Sequence, residues 1–292
     1  MRLLITGARG MMGRDLRAAA EAAGHEVWGT DIAKLEKDPK DRLDISAHEA
    51  VAEALDRFQP DWVLHLAALT DVDHCERVPE DAWRVNALGT ESLAMLCRDR
   101  DCGLLYVSTG SVFPGDKNLP YHEFDSPGPV SVYARSKYLG EESVRRLVAR
   151  HYVVRAGWMF GGGPEDKKFV AKMIDRARAS ELLLAVDDKT GSPTYTVDIA
   201  RRCLELLSTE RFGTYHAANE GACTRFEMAQ AILQAAGIEN CEVRPCSSAQ
   251  FPLAAFRPTS EAIEGLRAKL IGLAPMRDWR VALSEYVQTT FH

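Results

Sequence analysis

Short apolar runs alternate with mixed, helix-like stretches through the first half of the chain. The runs are "RLLIT" (2–6), "HEVWGT" (25–30), "DWVLHL" (61–66), "GLLYVS" (103–108) and "YVVRAG" (152–157). Each has the length of a strand and reads as buried. Between them, "MMGRDLRAAAEAA" (11–23), "AHEAVAEALDRF" (47–58), the stretch 79–100 and the segment from Tyr133 to Arg150 predict helices. Strands that alternate with helices predict a parallel sheet covered on both faces, because parallel neighbours need crossover connections.

After about residue 160 the texture changes. Loops rich in Gly and Pro, "FGGGPED" and "KTGSPT", separate shorter helical runs such as 224–236 and 279–290. This predicts a dinucleotide-binding domain over 1–160 and a smaller substrate lobe over 161–292, with the chain free to recross between them. At 292 residues and 46% hydrophobic, the chain can bury a substantial core. No apolar run approaches the ~20 residues of a membrane span. "RLLIT" follows Met1 directly, without the pattern of a signal peptide. Seven cysteines at irregular spacings, with no CxxC pair, argue against a disulfide framework or a structural zinc site. Reduced thiols and a cytoplasmic location are the expectation. A net charge of −6 offers no general attraction for nucleic acid or a membrane surface.

The first turn carries candidate chemistry. In "ITGARGMMG", Gly7, Gly10 and Gly13 stand between the first strand and the first helix. Glycine permits the tight turn and lets a pyrophosphate approach helix N-terminal amides. The spacing is G-x-x-G-x-x-G rather than G-x-G-x-x-G, but the strand–turn–helix context is the required one. A doubly wound, Rossmann-type α/β sheet is therefore expected. Asp31, at the end of the second strand, can bond ribose hydroxyls and repel a 2′-phosphate, which favours NADH. Arg9, inside the turn, could pair with that phosphate or simply be a solvated loop charge. The cofactor stays open between NADPH and NADH.

"SVYARSKYLGEES" places Tyr133 and Lys137 one helical turn apart. Alone, the pair reads as surface neighbours. The fourth strand, however, ends in "VSTGSVF", and ligands of a doubly wound sheet sit beyond the carboxyl ends of strands. Thr109 would meet Tyr133 and Lys137 there. Carbonyl reduction needs a proton donor for the forming alkoxide, and a lysine ammonium beside a phenol would lower its pKa.

The glycine turn, "HLAALT" (65–70), Asn86 in "RVNALGT", Thr109 and "YARSK" together resemble an extended short-chain dehydrogenase/reductase. The resemblance implies that Thr109, Tyr133 and Lys137 are catalytic, with Asn86 their associate beside the cofactor. Further on, "VRAGWMFGGG", "DDKTGSPTYTVDIA", "GTYHAANEGACTRFEMA", "FRPTS" and "LAPMRDWRVAL" resemble the dTDP-4-dehydrorhamnose reductases nearly end to end. Such enzymes reduce the C4 ketone of dTDP-4-dehydro-6-deoxy-L-mannose. The resemblance implies that Gly10, Met11, Met12, Asp44, Ile45, Ala67 and Ala68 line the cofactor. It also implies that Thr70, Trp158 and Arg257 contact a sugar nucleotide, Trp158 by packing on the sugar. Lys167, Lys168, Arg225 and Arg257 supply local positive charge for its diphosphate, although Lys167 and Lys168 could equally be a solvated helix face. His65 reads as a satisfied core histidine. A homodimer is a further expectation, since some members of the family dimerise through magnesium; no carboxylate cluster specifies such a site here, and no metal is expected.

The chain departs from the family at one place. Members usually continue the catalytic Thr with Asp-Tyr, where this chain has Gly110 and Ser111. The change bears on substrate identity more than on chemistry. Without the Asp-Glu typical of the related dehydratases, dehydration is not expected. Reduction or epimerisation of another nucleotide 4-ketosugar, or a cofactor-binding regulatory subunit without turnover, are the alternatives.

Overall fold

The computed structural model describes residues 1–32, 41–163 and 168–291. Lys167 lies outside them. The five apolar runs form β1 (Arg2–Thr6), β2 (Glu26–Thr30), β3 (Trp62–His65), β4 (Gly103–Thr109) and β5 (His151–Ala156). The intervening helices are α1 (Met11–Ala22), α2 (His48–Phe58), α3 (Val72–Arg77), α4 (Pro79–Ala82), α5 (Thr90–Asp99) and α6 (Val132–Leu147). A sixth strand, Gly213–Ala217, comes from the second half of the chain and pairs with β5. The sheet is parallel throughout, in the order Gly213–Ala217, β5, β4, β3, β1, β2.

Both faces are covered, which is why the strands read as unbroken apolar runs. Leu3, Ile5, Leu64 and Leu105 turn to one face, against Leu16 and Ala20 of α1 and Ile199, Cys203 and Leu206 of the helix Thr196–Leu207. Leu4, Val63 and Leu104 turn to the other, against Val51 and Leu55 of α2 and Leu93 of α5. Each such leucine, fully buried, contributes roughly 1.5–3 kcal/mol. Truncating Leu64 to Ala is expected to cost about 2–5 kcal/mol.

The stretch 79–100 is not one α-helix. Between α4 and α5 the chain runs as a π-helix over Trp83–Gly89, with Asn86 wholly buried inside it. Wide turns of this kind mark positions where a side chain needs a particular aim. Glycine at 89 lets the segment lie close to the backbone oxygen of Ile45, 3.3 Å from where a Cβ would stand.

A second core gathers Ile174, Met228, Ile232, Trp279, Leu283 and Tyr286 from helices Phe169–Ala179, Arg225–Ala235 and Trp279–Phe291. Among the described residues no helix is long and apolar enough to cross a membrane.

Candidate active site

β2 lies on one side of β1 and β3 on the other, so successive crossovers leave in opposite directions and open a crevice at the carboxyl ends of β1 and β3. The glycine turn fills its floor. Gly7 adopts φ +72°, and a Cβ there would stand 2.7 Å from the Ala67 nitrogen at the end of β3. At Gly13 a Cβ would stand 2.2 Å from the Gly7 oxygen, so α1 can begin this close to the turn only with glycine. Gly10 caps α1 without a side-chain hydrogen bond, which leaves first-turn amides available to an anion.

Above the turn is a cleft of about 540 Å³. Gly7, Gly10, Met11, Met12 and Gly13 line it from below, and Asp31, Asp44 and Ile45 from the side. Ala67, Ala68 and Thr70 line it from the segment after β3. Thr70, expected at the substrate, is thus at this first cleft. Asp31 accepts a hydrogen bond from the Arg9 backbone N–H at 3.0 Å, so it braces the turn as well as facing the cleft. Asp44 accepts from the Ser46 N–H and hydroxyl, which with Arg84 and Arg42 hold its carboxyl below the usual range against the opposing effect of burial. Lys168, expected toward the substrate diphosphate, also lines this cleft.

His65 and Asn86 are buried parts of the frame. The His65 ring bonds Thr6 at 2.8 Å and Thr90 at 3.1 Å, tying β1, β3 and α5 together. Burial, reinforced by the nearby Lys137 charge, takes it down to about 3 and keeps it neutral. Asn86 Oδ1 accepts from the Leu69 N–H at 2.8 Å. Its Nδ2 donates to the Leu69 carbonyl and to Ser136 Oγ, both at 3.0 Å. Asn86 therefore fixes the cleft-lining segment to α6 instead of presenting its amide to the cleft.

α6 begins at the Ser131 cap, whose hydroxyl accepts from the Ala134 N–H. Its inner face carries Tyr133, Lys137 and Glu141 at successive turns. Glu141 is fully buried and receives Arg155 of β5 at 2.7 Å and Ser108 of β4 at 2.6 Å. This bridge sets the rotation of α6 against the ends of β4 and β5. Gly140 allows the close approach, since a Cβ there would lie 2.6 Å from the Tyr106 hydroxyl.

The alignment brings the Tyr133 phenol near enough to Thr109 for that hydroxyl to act on its acidity. Lys137 is 2% exposed, donates to the Val107 carbonyl at 2.9 Å and sits 4.0 Å over the Tyr106 ring. Burial pushes the Tyr133 phenol up to about 12, with smaller contributions from Glu261 and Cys75, against the lowering effect of Thr109. Burial likewise brings Lys137 down to about 7, opposed by Glu141. The expected lowering of the phenol by a neighbouring ammonium is not what these side chains produce by themselves, because desolvation opposes phenolate and ammonium alike.

A second cleft, about 480 Å³, lies beyond Thr109 and is lined by Trp158, Lys189, Arg225, Phe256, Arg257 and Glu261, among others. Arg225 stacks 3.6 Å from the Trp158 ring centre. On the same indole, a Cβ at Gly191 would come within 2.2 Å. The stacking face expected for a sugar is occupied by this cation. Arg257 pairs with Asp73 of α3 at 3.0 Å and also bonds the Ala255 carbonyl, so it ties the cleft wall to the sheet half of the molecule.

Trp158 Nε1 donates to Glu261 Oε2 at 3.0 Å, and Ser111 Oγ donates to the other oxygen. Sequence reasoning missed Glu141, Arg155 and Glu261. The arginine inside the apolar run "YVVRAG" was one available signal, since a charge in a strand covered on both faces needs a buried partner.

Comparison with known proteins decides the family. The model described as RmlD substrate binding domain matches residues 1–291. The chain belongs to the dTDP-4-dehydrorhamnose reductase family. The dTDP-4-dehydrorhamnose reductase of Mycolicibacterium smegmatis is 38% identical over 288 residues, covering 98% of this chain and 85% of that protein. In crystal structures, this family's member from Clostridium acetobutylicum superposes with a TM-score of 0.92 at 33% identity, over 99% of both chains. The Bacillus anthracis family member, solved in complex with NADP, also gives 0.92, at 32% identity over 99% of both chains.

Proposed function

We propose that this chain reduces the C4 ketone of dTDP-4-dehydro-6-deoxy-L-mannose to dTDP-L-rhamnose with NADPH or NADH. The observation that carries the reading is the neighbouring Tyr133 and Thr109 hydroxyls, with Val107 of the Thr109 strand lining the glycine-floored cleft and Glu261, which acts on Tyr133, lining the cation-lined one. The first cleft fits a dinucleotide: α1 lacks a capping side chain, and Gly7 and Gly13 let the turn pack against β3 and the start of α1 closely enough to present its amides at the cleft floor. When bound there, the cofactor supplies the hydride.

The chain's own groups do the rest. Thr109 and Tyr133 bond the ketone oxygen, and Tyr133 gives its proton as charge develops there. A phenol at about 12 is fully protonated at neutral pH, the state an acid must start from. Lys137, fixed by Val107 and Tyr106, supplies a proton-bearing group within the same pocket. Arg225 and Lys189 offer positive charge to a nucleotide diphosphate in the second cleft.

A second reading, reduction of another nucleotide 4-ketosugar, is favoured by Gly110 and Ser111. A Cβ at Gly110 would lie 3.1 Å from Ile263 and 3.2 Å from the Glu261 carbonyl, so the wall there is closed to a larger side chain, while Ser111 presents only a hydroxyl. We extend the proposal to a homodimer in the cytoplasm. The seven cysteines, all free and buried, support a reducing compartment, and sedimentation velocity reads the association.

The test follows NADH and NADPH absorbance with enzymatically generated dTDP-4-dehydro-6-deoxy-L-mannose. Wild type is expected to oxidise the cofactor, and Tyr133→Phe to lose about 10²-fold or more in kcat. Bound cofactor without turnover by wild type overturns the reading.

A further inference from the structure

Glu261 reaches the reaction centre from the two-residue strand Ser260–Glu261, and its carboxylate is held from two sides. Ser111 Oγ donates to Oε1, and Trp158 Nε1 donates to Oε2 at 3.0 Å. A carboxylate has about four acceptor positions, so among the described residues one on each oxygen is still open. The side chain lines the second cleft, where Arg225 interacts with it electrostatically. Trp158 acts here as a positioning residue. Arg225 and the Gly191 backbone crowd its indole, and its N–H is spent on aiming the carboxylate.

The turn after β4 is built to admit Glu261. A Cβ at Gly110 would stand 3.2 Å from the Glu261 backbone oxygen, so glycine lets that strand lie close to the turn. Ser111 then meets the carboxylate with one short side chain. Gly110 and Ser111, the two positions at which the chain departs from its family, thus both lie against Glu261. Thr109 Oγ1 is 3.1 Å from Ser111 Oγ, which places the carboxylate two hydrogen bonds from the Thr109 hydroxyl, at most about 6 Å. It is also close enough to Tyr133 to act on the phenol.

We propose that Glu261 determines which sugar the site accepts, by taking a hydrogen bond from the hydroxyl on the ring carbon beside the ketone, C3 of a 4-ketosugar. The inference rests on the reductase reading above, in which Thr109 and Tyr133 hold the ketone oxygen. Oxygens on neighbouring carbons of a sugar ring stand about one hydrogen-bond length apart. A C3 hydroxyl that adds a hydrogen bond of its own therefore spans the gap between ketone oxygen and carboxylate. The group at C3 must be a donor, because a carboxylate only accepts. A sugar without that hydroxyl takes water from the carboxylate and returns nothing, and this is the situation in which polar sites discriminate most strongly. No proton is transferred and no bond is broken in this contact.

The test titrates the cofactor-saturated protein with dTDP-L-rhamnose and with its 3-deoxy analogue, and follows reduction of the two corresponding 4-ketosugars in parallel. Wild type is expected to favour the hydroxylated sugar by about tenfold or more, in Kd and in kcat/KM. Glu261→Ala should shrink that preference to within about twofold, because only the hydroxylated sugar loses a partner. Glu261→Gln, which keeps the shape without the charge, should fall between the two. A wild type that treats both sugars alike overturns the proposal. So does a Glu261→Ala protein that loses affinity for both by the same factor and keeps the preference, since that result assigns Glu261 to holding Ser111 and Trp158 in place. Binding by wild type without reduction is a different failure, that of the reductase reading, and the titration then decides the Glu261 contact by the same ratio.

Discussion

Lys137 sets the needs of the reaction against the needs of the fold, and replacing it by Met separates them. Burial brings the ammonium from 10.5 down to about 7 in the folded chain. Below about pH 7 the folded and unfolded chains both carry the proton, and the folded chain bears the full desolvation penalty. Between about 7 and 10.5 the folded chain sheds the proton while the unfolded chain keeps it, so stability rises with pH. Integrating that difference gives a penalty of roughly 4.5 kcal/mol at pH 6.5 and roughly 1.5 kcal/mol at pH 9.5. Methionine fills the same space without charge but forfeits the hydrogen bond to Val107 and the contact with Tyr106. The net gain for Lys137→Met at pH 6.5 is therefore about 1–3 kcal/mol. Urea unfolding of both proteins at the two pH values measures this. The variant is expected to be inactive, more stable at pH 6.5, and to see its advantage shrink by about 3 kcal/mol at pH 9.5. A variant that is less stable at pH 6.5, or whose difference from wild type ignores pH, would refute the account of Lys137 as a buried, strained cation.

Three further outcomes follow from other parts of the molecule. Glu141→Gln leaves Arg155 buried without its counter-charge, and calorimetry is expected to show a loss of about 3–5 kcal/mol; Glu141→Gln combined with Arg155→Met should recover much of it, and no recovery would remove the pair as the cause. Gly13→Ala forces a methyl against the Gly7 oxygen, so isothermal titration should show dinucleotide affinity weakened by about tenfold or more, whereas unaltered affinity would contradict the cradle. Asp31→Asn keeps an acceptor for the Arg9 N–H but removes the charge; the Kd ratio should move about tenfold toward NADPH, and an unmoved ratio would take Asp31 out of cofactor choice.

The sheet half was legible because its signals are local. Five strands, the glycine turn and the Tyr133–Lys137 spacing each lie within one short segment, and α1, α2 and α6 are long enough to declare themselves. What escaped depends on distant partners. Strand Gly213–Ala217, "GTYHA", is as long as β1 but is not an apolar run, and it gains its place by pairing with β5, which no local pattern announces. Ser111 and Glu261 are 150 positions apart, and nothing in "RPTSEAIEG" marks one glutamate for the reaction centre. Asn86 was recognisable by its motif, but the π-helical turn that buries it against Leu69 and Ser136 was not, because one extra residue in a helical turn leaves the apolar pattern nearly unchanged. Only the family resemblance assigns Trp158 to a sugar; the arginine that covers it arrives from 67 positions later.

The return of the chain to its own sheet has a consequence for biosynthesis. When the ribosome has made the first 160 residues, β5 still has an open edge, and the face of α1 that carries Leu16 and Ala20 still lacks the helix Thr196–Leu207. The half that holds the glycine turn and the Tyr–Lys pair cannot finish folding until some 60 further residues have emerged. During that interval an apolar layer and an unpaired strand edge are exposed together, the combination that recruits chaperones or other nascent chains. A premature stop after β5 therefore yields an aggregating fragment in place of a free-standing nucleotide-binding domain.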